Sequence, residues 1–486
     1  MRRVTRDDWQ TLLREASRLH AAGRSADAIA AYERLLAVNP DLADSWFNLG
    51  WLQRQQREYQ AALDSYQRAL DLGVARPEEV HLNRAAIYSD YLRQPAETEA
   101  ELLAALEKNE RFVPALLNLG NLREDLGERD GAREAYARVL EIDSGNALAL
   151  ARLAMLSLSP DLDQALAERL RSAIAKLRVE GQQAEGLSYA LAALLDAAGR
   201  YGEAFAAAGQ ANAANRTAGG PAARYDRRAT EQFVDRSIAT FTDRPAGESG
   251  DAPLFICGMY RSGSTLAEQI LAAHSRVSIS GELDLITALA AQIGGYPEAA
   301  AQADEATVRQ WRDFYLAGLP APPGPQRVVT DKRPDNFLHI GLIKMLFPNA
   351  KIIHTVRNPL DNLLSLHFLH LDPRMSYALD LDDAVHWHGQ YRRLMRHWQA
   401  LCSDDILTVD YDRLVEQPRE VIGEMLGFVG LDWEDSCLEF NRASSMVRTA
   451  SVWQVRQPLY KRSSGRWRNY EQQLEATRRA LEALAE

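Results

Sequence analysis

The chain has 486 residues, 46% of them hydrophobic and 25% charged, with a net charge of -11. That length calls for two or more domains, and the acidic balance argues against nonspecific nucleic-acid binding while leaving room for a local basic pocket. Cys257, Cys402 and Cys437 lie too far apart for a metal motif or a disulfide framework, no apolar run reaches the ~18 residues of a membrane span, and no apolar segment follows MRRVTRDDWQ; the expectation is a cytoplasmic protein with reduced thiols and no membrane partner.

The first half repeats. WFNLG at 46–50 returns as LLNLG at 116–120, 70 residues on, and Tyr66 returns as Tyr136 at the same distance; Tyr32 precedes Tyr66 by 34. These periods are those of helical-hairpin tetratricopeptide (TPR) units. Units of about 7–40, 41–74, 76–111, 113–146, 147–178 and 182–216 follow, the third and fifth degenerate. One hairpin cannot bury its apolar face alone, whereas a stack can. Residues 1–220 are therefore expected to form an all-α TPR superhelix whose concave surface binds a peptide or protein. A structural or dimerising role, giving a homo-oligomer, is the alternative. Residues 221–250, with the helical TEQFVDRSIATF, read as a joining segment.

From 251 the pattern changes to strands alternating with longer helices, which implies an α/β domain with a parallel sheet through 486. Leu254 to Cys257 form a short buried strand, Gly258 to Gly263 break it, and from Ser264 the apolar residues Leu266, Ile270 and Leu271 share a helix face. A strand, tight loop and helix in that order aim backbone N–H groups at one spot, a seat for phosphate. Gly258, Gly263 and Thr265 fit the phosphate-loop pattern of nucleotide-binding proteins, but Ser264 stands where that pattern has lysine, and Arg261 brings a charge inside the loop instead. Further strands are expected over Val277–Ser280, 328–334, 350–356 and 405–411, and a helix over 420–430. Arg357 sits at the tip of the third of these, where α/β folds bind ligands. Asp331, at the end of another, would hold Mg²⁺ if the chain were a phosphate-loop kinase. His354 lies inside a strand pattern and reads as a packed imidazole.

RSGST after a hydrophobic strand resembles the 5′-phosphosulfate loop of sulfotransferases that use 3′-phosphoadenosine 5′-phosphosulfate (PAPS). The likeness runs over about 253–475 in order: RSGST, SGE, VVTDKRPDNFLHIGLIKMLFPNAKIIHTVRNPLDNLLS, VDYDRLVEQP and SVWQVRQPLYKRSSGRWRNY. It resembles bacterial TPR–sulfotransferase proteins and, in its catalytic half, protein-tyrosine sulfotransferases. The resemblance implies that Tyr260, Arg261, Ser262, Gly263, Ser264 and Thr265 hold the 5′ end of the cofactor, and that Arg357 and Ser365 hold its 3′-phosphate. It also implies that Tyr411, Ser451, Arg456, Arg466 and Trp467 lie at the nucleotide. Glu282 would be the base toward the acceptor hydroxyl, with Lys332, Arg261 and Ser451 at the leaving group. No metal is required by that chemistry.

The chain departs from the animal tyrosine enzymes at Tyr260, which replaces a proline, and after Glu282, where LDLI replaces a basic residue. The implied activity is sulfuryl transfer from PAPS, leaving 3′-phosphoadenosine 5′-phosphate (PAP), to a hydroxyl on a peptide or protein such as tyrosine. A glycan or small molecule is an alternative acceptor. A kinase or nucleotide hydrolase, and a scaffold that has lost activity, are alternative functions.

Overall fold

The computed structural model describes residues 6–179, 184–245, 250–319, 328–442, 459 and 463–484. It divides into two compact units, Met1–Leu156 and Ser157–Glu486. The first unit is helical: α1 (Arg6–Ala21), α2 (Ser25–Val38), α3 (Ala43–Gln55), α4 (Tyr59–Asp71), α5 (Pro77–Ile87), α6 (Pro95–Lys108), α7 (Val113–Leu126), α8 (Arg129–Ile142) and α9 (Ala147–Met155). The repeated glycine and tyrosine explain one another. A Cβ on Gly50 would lie 2.9 Å from the Tyr66 ring, and one on Gly120 only 2.5 Å from the Tyr136 ring. Both tyrosines are completely buried, as are Ala62 and Ala132. The small residue of one helix is thus the seat for the ring of the next, which fixes how closely the two pack.

The second unit begins with α10 (Gln164–Val179), α11 (Glu185–Ala197), α12 (Tyr201–Gly219) and α13 (Arg227–Thr240). The sequence pattern groups the first three of these with the repeats, ending at 220; the compact division instead falls at 156. The reason is burial: Tyr201 and Phe205 of α12 pack with Leu360, Leu364, Tyr470 and Leu474, all of the second unit.

Five parallel strands follow, β1 (Leu254–Gly258), β2 (Val277–Ile279), β3 (Val328–Lys332), β4 (Ile352–Val356) and β5 (Ile406–Asp410), in the order β2-β3-β1-β4-β5. The helices between them are α14 (Ser264–Ala272), α15 (Leu285–Gln292), α16 (Glu298–Ala301), α17 (Glu305–Ala317), α18 (Ile340–Leu346), α19 (Pro359–His367) and α20 (Leu381–Leu401), and after β5 come α21 (Tyr411–Glu416), α22 (Pro418–Val429) and α23 (Glu471–Ala483). Every residue of β1 is buried, as expected of a strand covered on both faces. Phe255, Cys257 and Ile352 pack under α18 and α20 through Leu342, Leu394 and Trp398. Leu254, Ile256 and Ile353 pack under α14 and α22 through Ile270, Leu271, Ile422 and Met425. The apolar stretch FLHIGLIKMLFP does not form one helix: a 3₁₀ segment, Pro334–His339, is followed by the short α18, and the proline at the first position tightens the opening turn.

Candidate active site

The loop between β1 and α14 is shaped by what its ends exclude. A Cβ on Gly258, at φ 149°, would meet the Thr355 carbonyl oxygen at 2.3 Å, and one on Gly263, at φ 102°, the Tyr411 ring at 2.8 Å. Arg261 itself has a left-handed φ of 70°, a conformation that costs a non-glycine residue about 1–3 kcal/mol and persists where the surroundings enforce it. Thr355 donates to the Cys257 carbonyl (3.2 Å), so Ser262, 2.7 Å away, donates to Thr355. The Ser262 hydroxyl is therefore spent on the loop's own fold, as is its backbone N–H, which donates to the Met259 carbonyl at 3.1 Å. Gly263 gives α14 no side-chain cap, which leaves the first-turn N–H groups of Ser264 and Thr265 at the positive end of the helix dipole.

Arg261 Nε donates to Ser365 Oγ at 3.0 Å. Arg357 lies 4.9 Å over the Tyr411 ring, donates to the Arg261 carbonyl at 3.3 Å and to the Ser463 carbonyl, and its buried Nε has no partner. Arg261, Arg357, Ser365 and Tyr411, distant in sequence, thus stand together around the loop. The helix α19 that carries Ser365 starts under the side chain of Asn358, which accepts from the N–H groups of Leu360 and Asp361. One turn before Ser365, Asp361 accepts from the backbone N–H groups of Gly465 (2.6 Å) and Trp467 (2.8 Å), and Asn362 donates to the Tyr260 carbonyl (2.9 Å). Burial pushes the Asp361 carboxyl up, against those backbone donors.

On the other side of the loop, Lys332 at the end of β3 is fully buried and its Nζ lies 2.5 Å from Glu282 Oε1, whose side chain is 39% exposed. Beneath them the buried Glu268 of α14 accepts from Thr330 at 2.9 Å; burial raises its carboxyl and the Lys332 charge opposes that shift. Arg333 pairs with Asp284 and, at 2.7 Å, with Asp335. Tyr260 is half-buried here, and burial raises its phenol.

Some expected residues are placed differently. Arg466 pairs with Asp196 of α11 at 2.9 Å and lies over the rings of Phe368 and Tyr470, at 4.8 and 5.7 Å; it serves the packing of this segment against α11. Trp467 contributes its backbone N–H to Asp361. Ser451 and Arg456 lie outside the described residues. Asp331, the metal ligand of the kinase reading, is fully buried; its two oxygens accept from Tyr315 (2.7 Å) and Asn336 (3.1 Å), and burial pushes it up to about 7. Among the described residues no cluster of His, Cys, Asp or Glu is arranged to hold a metal ion. His354 is packed, as expected, against the Tyr391 hydroxyl.

Residues that sequence reading missed are Asp361, Asn362, Glu268, Asp196 and Asn212. The first two carried a signal. Asn358, Asp361 or Asn362, and Ser365 recur at helical spacing, a polar stripe on an otherwise apolar helix. Asn212 of α12, which donates to the His367 carbonyl at 2.9 Å, carried none.

The chain thus carries TPR-like helices in its first part and, after them in sequence, a parallel-sheet α/β domain. Residues 253–435 match the model of the sulfotransferase family, and residues 13–77 and 113–146 match tetratricopeptide-repeat models. An uncharacterized protein of Aquifex aeolicus is 33% identical over 391 residues, 76% of this chain and 50% of that protein. Protein-tyrosine sulfotransferase 2 of Gallus gallus is 26% identical over 204 residues, 39% of this chain and 54% of that enzyme. The chain spans about half the length of the curated relatives it matches. The sulfotransferase domain of the Synechococcus PCC 7002 olefin synthase shares 22% identity, covering 50% of this chain and 98% of that one, with a TM-score of 0.37. The chain therefore joins an all-helical TPR-like region to a parallel-sheet domain of sulfotransferase type, and among the described residues no helix is long and apolar enough to cross a membrane.

Proposed function

We propose that the second unit transfers a sulfuryl group from PAPS to a hydroxyl acceptor. The observation that carries this reading is the Lys332–Glu282 pair, at 2.5 Å, beside a phosphate loop with Ser264 in the lysine position. PAPS, when bound, supplies the activated sulfuryl group and departs as PAP. The loop N–H groups, with Ser264 and Thr265, hold its 5′ end. Arg357 and Ser365, steadied by Arg261, hold the 3′-phosphate; the unpartnered Arg357 Nε and the ring of Tyr411 suit a phosphorylated ribose. Lys332 donates to the bridging oxygen, where negative charge develops, and Glu282 takes the proton of the acceptor hydroxyl. Ser451 and Arg456 belong, by the same reading, to the segment closing over the nucleotide, and the work is cytoplasmic.

The TPR-like repeats favour a peptide or protein acceptor, with a glycan or small molecule as the alternative. No metal takes part. The kinase reading lacks a free aspartate, since both Asp331 oxygens are engaged. Calorimetric titration of the folded full chain with PAP, and with ADP in the presence and absence of Mg²⁺, tests the reading. Tight metal-independent PAP binding supports it; ADP binding that requires Mg²⁺, with none for PAP, overturns it.

A further inference from the structure

Behind the phosphate loop a cavity of about 360 Å³ opens between β4, the start of α19 and α20. Met259 and Ser262 of the loop form its inner wall. Apart from the Arg357 Nε given above to the nucleotide, three buried side-chain atoms of its lining residues have no hydrogen-bond partner among the described residues: His354 Nδ1, His388 Nδ1 and Asn362 Oδ1. There are thirteen such atoms among the described residues, so one cavity gathers nearly a quarter of them. A buried polar group left unpaired costs roughly 1–3 kcal/mol, and native structures place partners at such groups. The concentration therefore points to a polar occupant. His354 and His388 are only 4% and 6% exposed, so they are built into the wall.

The sign of the occupant follows from the charges. Three arginines, Arg357, Arg392 and Arg396, line the cavity, and among the described residues no Asp or Glu does, in a chain whose net charge is -11. Arg392 and Arg396 stand one turn apart on α20. The intervening Arg393 pairs with Asp235 at 2.7 Å, whereas neither of these two forms an ion pair with a described residue. Burial holds both histidines down at about 4, so at neutral pH the positive charge belongs to the arginines and the imidazoles offer neutral hydrogen bonds. Asn362 Oδ1 needs a donor, which a hydroxyl beside the anionic group would provide.

We propose that this cavity binds a small sulfate or phosphate oxyanion, free or as a compact hydroxylated ester, with Arg392 and Arg396 meeting its charge and His354, His388 and Asn362 its hydrogen bonds. Asn362 also holds the Tyr260 carbonyl at 2.9 Å, so an occupant would bear on the loop from behind. The proposal does not depend on the sulfotransferase reading.

The test is calorimetry on the full chain at constant ionic strength, with sodium sulfate, inorganic phosphate and glycerol 3-phosphate as probes and chloride as the reference. Three forms are compared: wild type, Arg392→Gln/Arg396→Gln, and Ser264→Ala/Thr265→Ala, each checked for an unchanged melting temperature. Saturable binding that weakens at least about tenfold in the arginine variant and is retained in the loop variant supports the site. Tighter binding of the ester than of either inorganic anion assigns the compact ester; equal binding assigns the free anion. No saturable binding of any probe, the three atoms being met by water, overturns the proposal. So does binding indifferent to the arginine changes or lost only in the loop variant. A failure to bind PAP would overturn the function proposed above and leave this result standing.

Discussion

Replacing Asp196 with alanine should weaken nucleotide binding although Asp196 stands on a helix of TPR-like pattern. Its carboxylate accepts the hydroxyl of Tyr470 and pairs with Arg466 at 2.9 Å, and the two charged side chains are 23% and 22% exposed. Arg466 can recover part of its hydration, so its loss is modest. Tyr470 is completely buried, and a stranded hydroxyl there costs roughly 1–3 kcal/mol. Taken together about 2 kcal/mol is lost from the segment 463–470. That segment supplies the Ser463 carbonyl to Arg357 and the N–H groups of Gly465 and Trp467 to Asp361. If nucleotide binding requires it in place, PAP affinity falls by about thirtyfold, at ~1.4 kcal/mol per decade. Calorimetry with PAP reads this, with hydrogen exchange at 463–470 as the companion measurement. Asp196→Asn, which keeps an acceptor for Tyr470, should fall between. An alanine variant that binds PAP as tightly as wild type while exchange at 463–470 rises would refute the coupling.

Arg357→Ala should weaken PAP by two orders of magnitude or so, consistent with a charge-assisted contact of about 1.5–3 kcal/mol, and should leave binding of a nucleotide lacking the 3′-phosphate nearly unchanged; equal losses for both would remove Arg357 from the 3′-phosphate. Glu282→Gln should abolish transfer of labelled sulfate while sparing PAP affinity, and persistent turnover would exclude Glu282 as the base. Gly120→Ala should destabilise the repeats by about 2 kcal/mol through overpacking, and Gly50→Ala by less. The Tyr136 hydroxyl is tied to Glu124 and Asn121 at 2.7 and 2.8 Å, whereas the Tyr66 hydroxyl has no partner and its ring can shift; equal losses in denaturant would contradict this. The Asp331 carboxyl keeps its proton in the folded chain up to about 7, while the unfolded chain releases it near ~4. Its contribution therefore declines as pH rises from 4 to 7, by at most about 4 kcal/mol. The buried His339, His354, His367 and His388, held down at about 4, act in the opposite sense. Asp331→Asn should thus gain stability relative to wild type as pH rises through that window, and parallel melting curves against pH would refute the shift.

Much of the architecture was legible because it rests on local pattern. The 70-residue return of WFNLG and Tyr66 marks a packing contact, so periodicity alone locates the helices. The loop from Gly258 to Gly263 is legible for a similar reason: its glycines are demanded by Thr355 and Tyr411. What pattern does not carry is the partner of a polar side chain across the fold. Ser262 reads as an anion ligand and is instead consumed by Thr355. Arg466 reads as a cation for the nucleotide and is met by Asp196, 270 residues earlier. Asp331 ends a strand as a metal-binding aspartate would, but Tyr315 and Asn336 close over it. The boundary at 220 follows the helical repeat, whereas compactness follows which apolar face meets which, and Phe205 meets Leu364 and Tyr470.

That last meeting sets where the second unit can be excised. A fragment opened at residue 251, where the strand pattern begins, would bare Leu360, Leu364 and Tyr470 and strand the His367 and Leu371 carbonyls now capped by Asn212 and Asn215. Such a fragment should be sticky and poorly behaved, whereas one that retains residues from 157 onward should keep its shape in solution. The last helical pair of the array is, by this measure, masonry of the parallel-sheet half.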